Sequence, residues 1–274
     1  NEEDEVEGDV HASIVAICTL ECVRAATFVT ARVGSSRLSG KVLSDIGGVP
    51  ALDRLVARVS LARLPERIVL CTTTEPEDDV LEAAAGRLGI DVFRGSVEDI
   101  LDRWLGAARR FDADFVVNCD ADDVFCDHEH IDRVIDEHAR TGAEYVRCTG
   151  LPFGTAPTGM ATAALERVCA LKSDANTEGQ GRFFADPGLV SQGEVAAPAS
   201  LDLPQARMTL DYPEDLEFFR AVAAELDRPG EVFSLQEIVD LLRKRPDIVQ
   251  INAGRQAEYW ERFHAKYPPV ELSR

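Results

Sequence analysis

Short, nearly continuous apolar runs alternate along this chain with segments of helical periodicity, and that alternation restricts the fold more than any other property of the sequence. Runs at 26–30, 68–72, 90–93, 115–119, 145–148 and 208–210 predict strands. Segments near 49–62, 77–88, 97–110, 128–141, 161–171, 213–226 and 234–245 predict helices. Strands that are apolar on both faces need cover on both, so the pattern predicts a three-layer α/β domain with a mainly parallel sheet. Ligands of such sheets bind outside the carboxyl ends of the strands, where functional residues are therefore sought. Two early runs compete to open the sheet, 14–20 and 25–31, and only the later one leads directly into a Gly-containing loop. The reading is a mobile acidic extension over 1–22, a main domain over 23–226, and a helical C-terminal appendix over 227–274 after the break Asp227-Arg228-Pro229-Gly230.

The loop after that first strand reads Thr30-Ala31-Arg32-Val33-Gly34-Ser35-Ser36-Arg37-Leu38-Ser39-Gly40-Lys41. No acidic side chain occurs from Cys22 to Ser44, in a chain whose 29 Lys and Arg against 49 Asp and Glu give a net charge of −20. A polyphosphate needs backbone N–H groups that approach closely and fixed cations beside them, and this loop offers both. It is neither a P-loop, since five residues separate Gly34 from Gly40 and Val42 follows Lys41, nor a dinucleotide fingerprint. The overall negative field argues against nucleic acid and anionic membrane surfaces as partners. The seven cysteines show no paired spacing, which suits a reducing, cytoplasmic setting.

Carboxylates stand at two predicted strand ends. The run at 115–119 leads into Asp120-Ala121-Asp122-Asp123, where Asp120 can either serve a hard cation such as Mg²⁺ or cap a helix. The run at 208–210 ends at Asp211, which can face Asp120 across the sheet or cap the helix that follows. Two acids converging there repel each other unless a cation separates them. Asp127-His128-Glu129-His130 reads as a solvated helix start rather than a zinc site, and Thr72 to Thr74 and Ser96, Asp99 and Arg103 lie at further strand-to-helix junctions.

These residues together resemble the cytidylyltransferases of the spore-coat polysaccharide type, related to the acylneuraminate and 3-deoxy-manno-octulosonate enzymes. The resemblance rests on the segment from Ala31 to Leu43, on Phe93-Arg94-Gly95-Ser96, on Asp120 after an apolar strand, and on Thr209-Leu210-Asp211-Tyr212-Pro213-Glu214-Asp215. It implies a nucleotide-diphospho-sugar transferase (glycosyltransferase-A-like) fold, Mg²⁺ dependence, a homodimer, and transfer of CMP from CTP to a sugar acid or a sugar or polyol phosphate for cell-surface glycan precursors. By the same resemblance Arg32 and Lys41 contact the triphosphate, with Ala31, Gly34, Ser35 and Arg37 shaping the loop around it. Thr72, Thr73, Ser96 and Arg103 flank base or ribose, Glu178 contacts the acceptor, and Asp120 and Asp211 hold Mg²⁺. The chain departs from the family pattern at Ser39, where Pro is usual, at Cys119-Asp120-Ala121-Asp122, and at Asn176-Thr177-Glu178-Gly179-Gln180-Gly181, where Arg-Glu-His is frequent. Two other readings fit the same residues: a glycosyltransferase that uses a finished nucleotide sugar, because Asp120-Ala121-Asp122 is also a metal-binding DxD, and a nucleotide-sugar sensor without turnover.

Overall fold

In the computed structural model, residues 23–34, 38, 40–270 and 272 are described. The buried run that follows the acidic segment forms β1 (Ala25–Thr30), an interior strand of a seven-stranded sheet. The competing run at 14–20 lies outside the described residues, as does the whole of 1–22. With β4 (Arg67–Thr73), β5 (Asp91–Gly95), β6 (Phe115–Asp120), β7 (Tyr145–Thr149), β8 (Thr158–Ala161) and β9 (Gln192–Ala196), the order is β5-β4-β1-β6-β8-β7-β9. Only β8 runs against its neighbours β6 and β7. A two-residue hairpin, β2 (Asp45–Ile46) with β3 (Val49–Pro50), stands apart.

Helix α1 (Ala51–Val59) follows β3, α2 (Asp79–Leu88) follows β4 and α3 (Ile100–Arg110) follows β5. They are succeeded by α4 (His128–Thr141) after β6 and α5 (Thr162–Leu171) after β8. Crossovers of the usual right-handed sense put α1 and α2 on one face and the returning α3 on the other. The helix pairs agree, α1 packing on α4 and α3 on α5. The chain therefore moves outward from β1 to β4 and β5 and returns to β6, so that the crevice between the carboxyl ends of β1 and β6 is the switch point of the sheet. The register pairs Thr30 directly with Asp120 at that crevice.

The run at 208–210 is buried but is no strand of the sheet. Its backbone instead crosses two loops, Met208 donating to the Phe153 carbonyl and Leu210 to the Asp122 carbonyl, both at 2.8 Å. Gly154, at φ +86°, makes that crossing possible: a Cβ there would sit about 2.5 Å from the Met208 carbonyl carbon. Beyond it, α6 (Pro213–Leu226), α7 (Leu235–Lys244) and α8 (Pro246–Gln250) bury Phe218, Phe219, Ile238 and Val249 in a second apolar cluster that includes Phe125 and Ile46. The break expected at 227 is a loop, and this cluster packs across it, so the C-terminal helices share their core with the preceding segment. A last helix, α9 (Arg255–Lys266), has no fully buried residue. No helix among the described residues is long and apolar enough to cross a membrane.

Candidate active site

The loop after β1 is anchored at both ends. The Ala31 amide donates to the Cys71 carbonyl at 3.2 Å, and the Val33 amide to the Asp78 carboxylate at 2.7 Å. Asp78 also takes the Thr73 hydroxyl, tying the loop to the end of β4. Gly34 permits a close approach, since a Cβ there would meet the Glu77 carboxylate at 2.8 Å. Gly40, at φ +67°, returns its N–H to the Val33 carbonyl and opens the short turn that carries Lys41. Ser35 and Arg37 lie outside the described residues.

Lys41 is turned inward and 9% exposed, its ammonium held by the Asp122 carboxylate and by Asp211 Oδ1 at 2.9 Å. Burial works against its charge, but Asp122 and Asp211 outweigh that effect and hold the ammonium above its usual range. The Leu210–Asp122 backbone bond is what sets these two acids on either side of one lysine. Asp211, expected beside Asp120 on a divalent ion, gives its other oxygen to Arg207 at 2.8 Å. Arg207 continues to Asp215 at 3.0 Å, and Asp215 in turn accepts the Asp211 and Tyr212 amides at 2.9 Å, closing the start of α6. Asp215 thus supplies the helix cap that the sequence left open to Asp211.

Asp120 lies in a different environment. Trp104 of α3 donates to the Thr30 hydroxyl at 2.8 Å, Thr30 donates to Asn118 Oδ1 at 2.6 Å, and the Asn118 amide donates to Asp120 Oδ1 at 3.1 Å. Gln180 donates to the other oxygen at 3.3 Å. Both amide partners are uncharged. Burial and the nearby Asp122 push the Asp120 carboxyl up to about 6, and burial with Asp122 and Asp120 pushes Asp123 well up. Asp120 and Asp123 line a cleft of about 120 Å³ together with Trp104, Tyr145, Gln180 and Phe184. Tyr145 and Phe184 stack at 4.9 Å to form its apolar side.

The remaining expected residues take supporting positions. Thr72 and Thr73 are buried at the end of β4, and the Thr72 hydroxyl has no partner among the described residues. Arg103 is 2% exposed and donates to the Ser96 carbonyl at 2.9 Å and the Val97 carbonyl at 3.2 Å, bracing the loop from within. Ser96 accepts the Asp99 amide at 3.2 Å, and Asp99 caps α3. Asp127 caps α4 and pairs with His130 Nδ1 at 2.5 Å, so the segment is a helix start, but both side chains are buried rather than solvated. Glu178 bonds Arg32, Lys266 and Tyr267. Asn118, Asp123, Gln180 and Arg207 were not singled out as site residues in the sequence, and Asp122 entered only through the DxD reading. Asp122 and Asp123 carried a visible signal, the acid run at the strand end; Gln180 reaches Asp120 from 60 residues away, whereas Asn118 and Arg207 bond acids within a few residues but belong to no motif that marks them.

Four acids, Asp120, Asp122, Asp123 and Asp211, thus share this rim with two cations, Lys41 and Arg207, and the surplus negative charge lies on the Asp120 side. That donor set fits a hard divalent cation. Among the described residues no three acid, His or Cys side chains form a ready cage. Mg²⁺ requires none, because it binds through one or two carboxylates and completes its shell with substrate phosphates and water.

A family model described as cytidylyltransferase matches residues 26–178. The spore coat polysaccharide biosynthesis protein SpsF of Bacillus subtilis is 30% identical over 226 residues, 80% of this chain and 94% of that protein. The 3-deoxy-manno-octulosonate cytidylyltransferase of Agrobacterium fabrum is 27% identical over 235 residues, 76% of this chain and 87% of its own. Among solved structures, a cytidylyltransferase from Leptospira borgpetersenii superposes with a TM-score of 0.77 at 23% identity, covering 83% of this chain and 97% of that one. A CMP:2-keto-3-deoxy-manno-octonic acid synthetase solved with CTP superposes with a TM-score of 0.56 at 17% identity, covering 74% and 99%. The fold is that of the nucleotide-diphospho-sugar transferases.

Proposed function

We propose that this chain, which belongs to the cytidylyltransferase family, transfers CMP from CTP to a sugar acid or to a sugar or polyol phosphate, as a step in making cell-surface glycan precursors. The observation that carries this reading is the meeting of Lys41 and the Asp120–Asp123 acids at the switch point between β1 and β6. An acceptor oxygen attacks the α-phosphorus, the α–β phosphoanhydride bond breaks, pyrophosphate leaves, and the acceptor proton passes to water. Such chemistry depends on positioning and on charge stabilisation rather than on a protein nucleophile.

In this reading Arg32 and Lys41 take up the charge of the departing pyrophosphate, and the 31–41 loop with Ala31, Gly34, Ser35 and Arg37 wraps the triphosphate. Thr72 and Thr73 border the nucleoside, while Ser96 and Arg103 keep the adjoining loop in place. The acceptor occupies the cleft between Asp120 and the Tyr145–Phe184 wall. Asp120 is the residue that would hold Mg²⁺, which supplies charge neutralisation at the phosphates. Asp211 serves as the counter-charge that keeps Lys41 in place. The same reading makes the enzyme a cytoplasmic homodimer.

Purified protein incubated with CTP, Mg²⁺ and a panel of sugar acids and sugar phosphates is expected to release pyrophosphate and form a CMP-linked product. CTP should raise the melting temperature more than ATP, GTP or UTP. Sugar transfer from a finished nucleotide sugar, with no pyrophosphate released, would replace this reading with that of a glycosyltransferase.

A further inference from the structure

Glu178 lies in the segment between α5 and β9, and its side chain is 17% exposed. Its carboxylate meets three donors from two distant parts of the chain. Arg32 comes from the loop after β1, while Lys266 Nζ, at 2.8 Å, and the Tyr267 hydroxyl come from the end of α9. Burial opposes the charge of Glu178, but Lys266, Tyr267 and Arg32 outweigh it and keep the carboxyl below its usual range.

Two cations and a phenol on one carboxylate exceed what neutralising that acid requires, and they do so in a chain of net charge −20. Both cations remain open to solvent, Arg32 at 39% and Lys266 at 65% side-chain exposure. The end of α9 is braced for this position: Arg182 stacks on the Tyr267 ring at 5.2 Å and donates to the Pro268 carbonyl. Further back on the helix, Tyr259 and Trp260 rest on Phe153, each 5.3 Å between ring centres.

We propose that Arg32, Lys266 and Tyr267 form a binding site for the terminal phosphates of the nucleoside triphosphate, and that the Glu178 carboxylate occupies this site until the nucleotide displaces it. The proposal rests on the nucleotidyltransferase reading for its ligand, and it assigns part of the phosphate site to a helix outside the region that the family model matches. Phosphate is the favoured anion because Arg32 belongs to the same loop as Lys41, at the switch-point crevice. Glu178 is then a competitor of the substrate for Arg32.

Calorimetric titration of the full chain in Mg²⁺ buffer with inorganic pyrophosphate, CTP and CMP tests this. Lys266→Ala and Tyr267→Phe should each weaken pyrophosphate and CTP about three- to fivefold, as for single partly exposed charge-assisted contacts, and leave CMP within about twofold. Tyr267→Phe keeps the ring under Arg182, so it reads the hydroxyl without disturbing the helix end. Glu178→Gln should tighten pyrophosphate and CTP about fivefold by removing the competing charge. Unchanged pyrophosphate affinity in both C-terminal variants would overturn the assignment. So would weaker binding in Glu178→Gln, or a change confined to the acceptor KM. If pyrophosphate responds as expected but CTP binds no better than other triphosphates, the phosphate site stands and the cytidylyl reading fails.

Discussion

The two ends of the acid cluster at the sheet rim are built on opposite electrostatic plans. Around Lys41, each charge found in the structure has an opposite partner in place: Asp122 and Asp211 on the lysine, Arg207 between Asp211 and Asp215. Around Asp120, a few residues away, the hydrogen-bond partners are amides, and the carboxyl is driven up to about 6 because burial and the nearby Asp122 outweigh those amides and the pull of Lys41. In the first region folding itself supplies the counter-charges. The second is left without a full counter-charge by folding. A buried charge with its partner in place is fixed geometry, whereas a buried charge without one is an affinity for whatever cation arrives.

The comparison breaks most severely if the finished side tolerates damage. Arg207→Met leaves Asp211 and Asp215 without their shared cation and should cost about 3–5 kcal/mol in urea unfolding. Adding Asp215→Asn should recover part of that loss, because an uncompensated charge is removed. Asp120→Asn should leave the fold intact yet lower CMP transfer about 100-fold, or about 2.7 kcal/mol in the barrier, as measured by pyrophosphate release. Lys41→Ala should lower transfer at least about tenfold and also destabilise the chain, since Asp122 and Asp211 then face each other. Near-normal turnover in the Asp120 variant would remove the distinction altogether.

The smallest effect sharpens it. The Asp120 carboxyl is held above its ordinary value, so between about pH 4 and 6 the folded chain keeps a proton that the unfolded chain has lost. Stability from this group is therefore present at low pH and lost as pH rises through about 6. Asp120→Asn should accordingly melt about 2 °C higher than the parent at pH 8 in a chelator, with the gain fading as pH falls from 6 to 4. No such pH-dependent gain is expected from Asp215→Asn, which should destabilise at pH 8.

The cationic loop and Asp120 were legible in the sequence because each adjoins a strand whose apolar run announces it, and strand ends gather at one edge of a parallel sheet. Strands β8 and β9 were not legible. Thr158–Ala161 is four residues long and contains Gly159, where a Cβ would collide with Phe115 and Val134, so its signal is packing rather than propensity. Gln192–Ala196 is a polar edge strand, recruited by pairing with β7. The run at 208–210 was apolar for a different reason, burial in the second cluster, and apolarity alone does not distinguish that from a sheet. The strand-end placement of Asp211 fails with that run, and on the crossing segment Asp211 bonds Lys41.

Gly154 illustrates how far from the chemistry such an anchor can be set. The distance between two peptide planes at that crossing is one that only a hydrogen substituent tolerates, and the segment it admits carries Asp211 at its end. Even a methyl group there would lift the crossing chain and withdraw a counter-ion from a lysine that position 154 never touches. Random mutagenesis scored by lost turnover should therefore return this glycine, a position that an inventory of cleft-facing side chains would pass over.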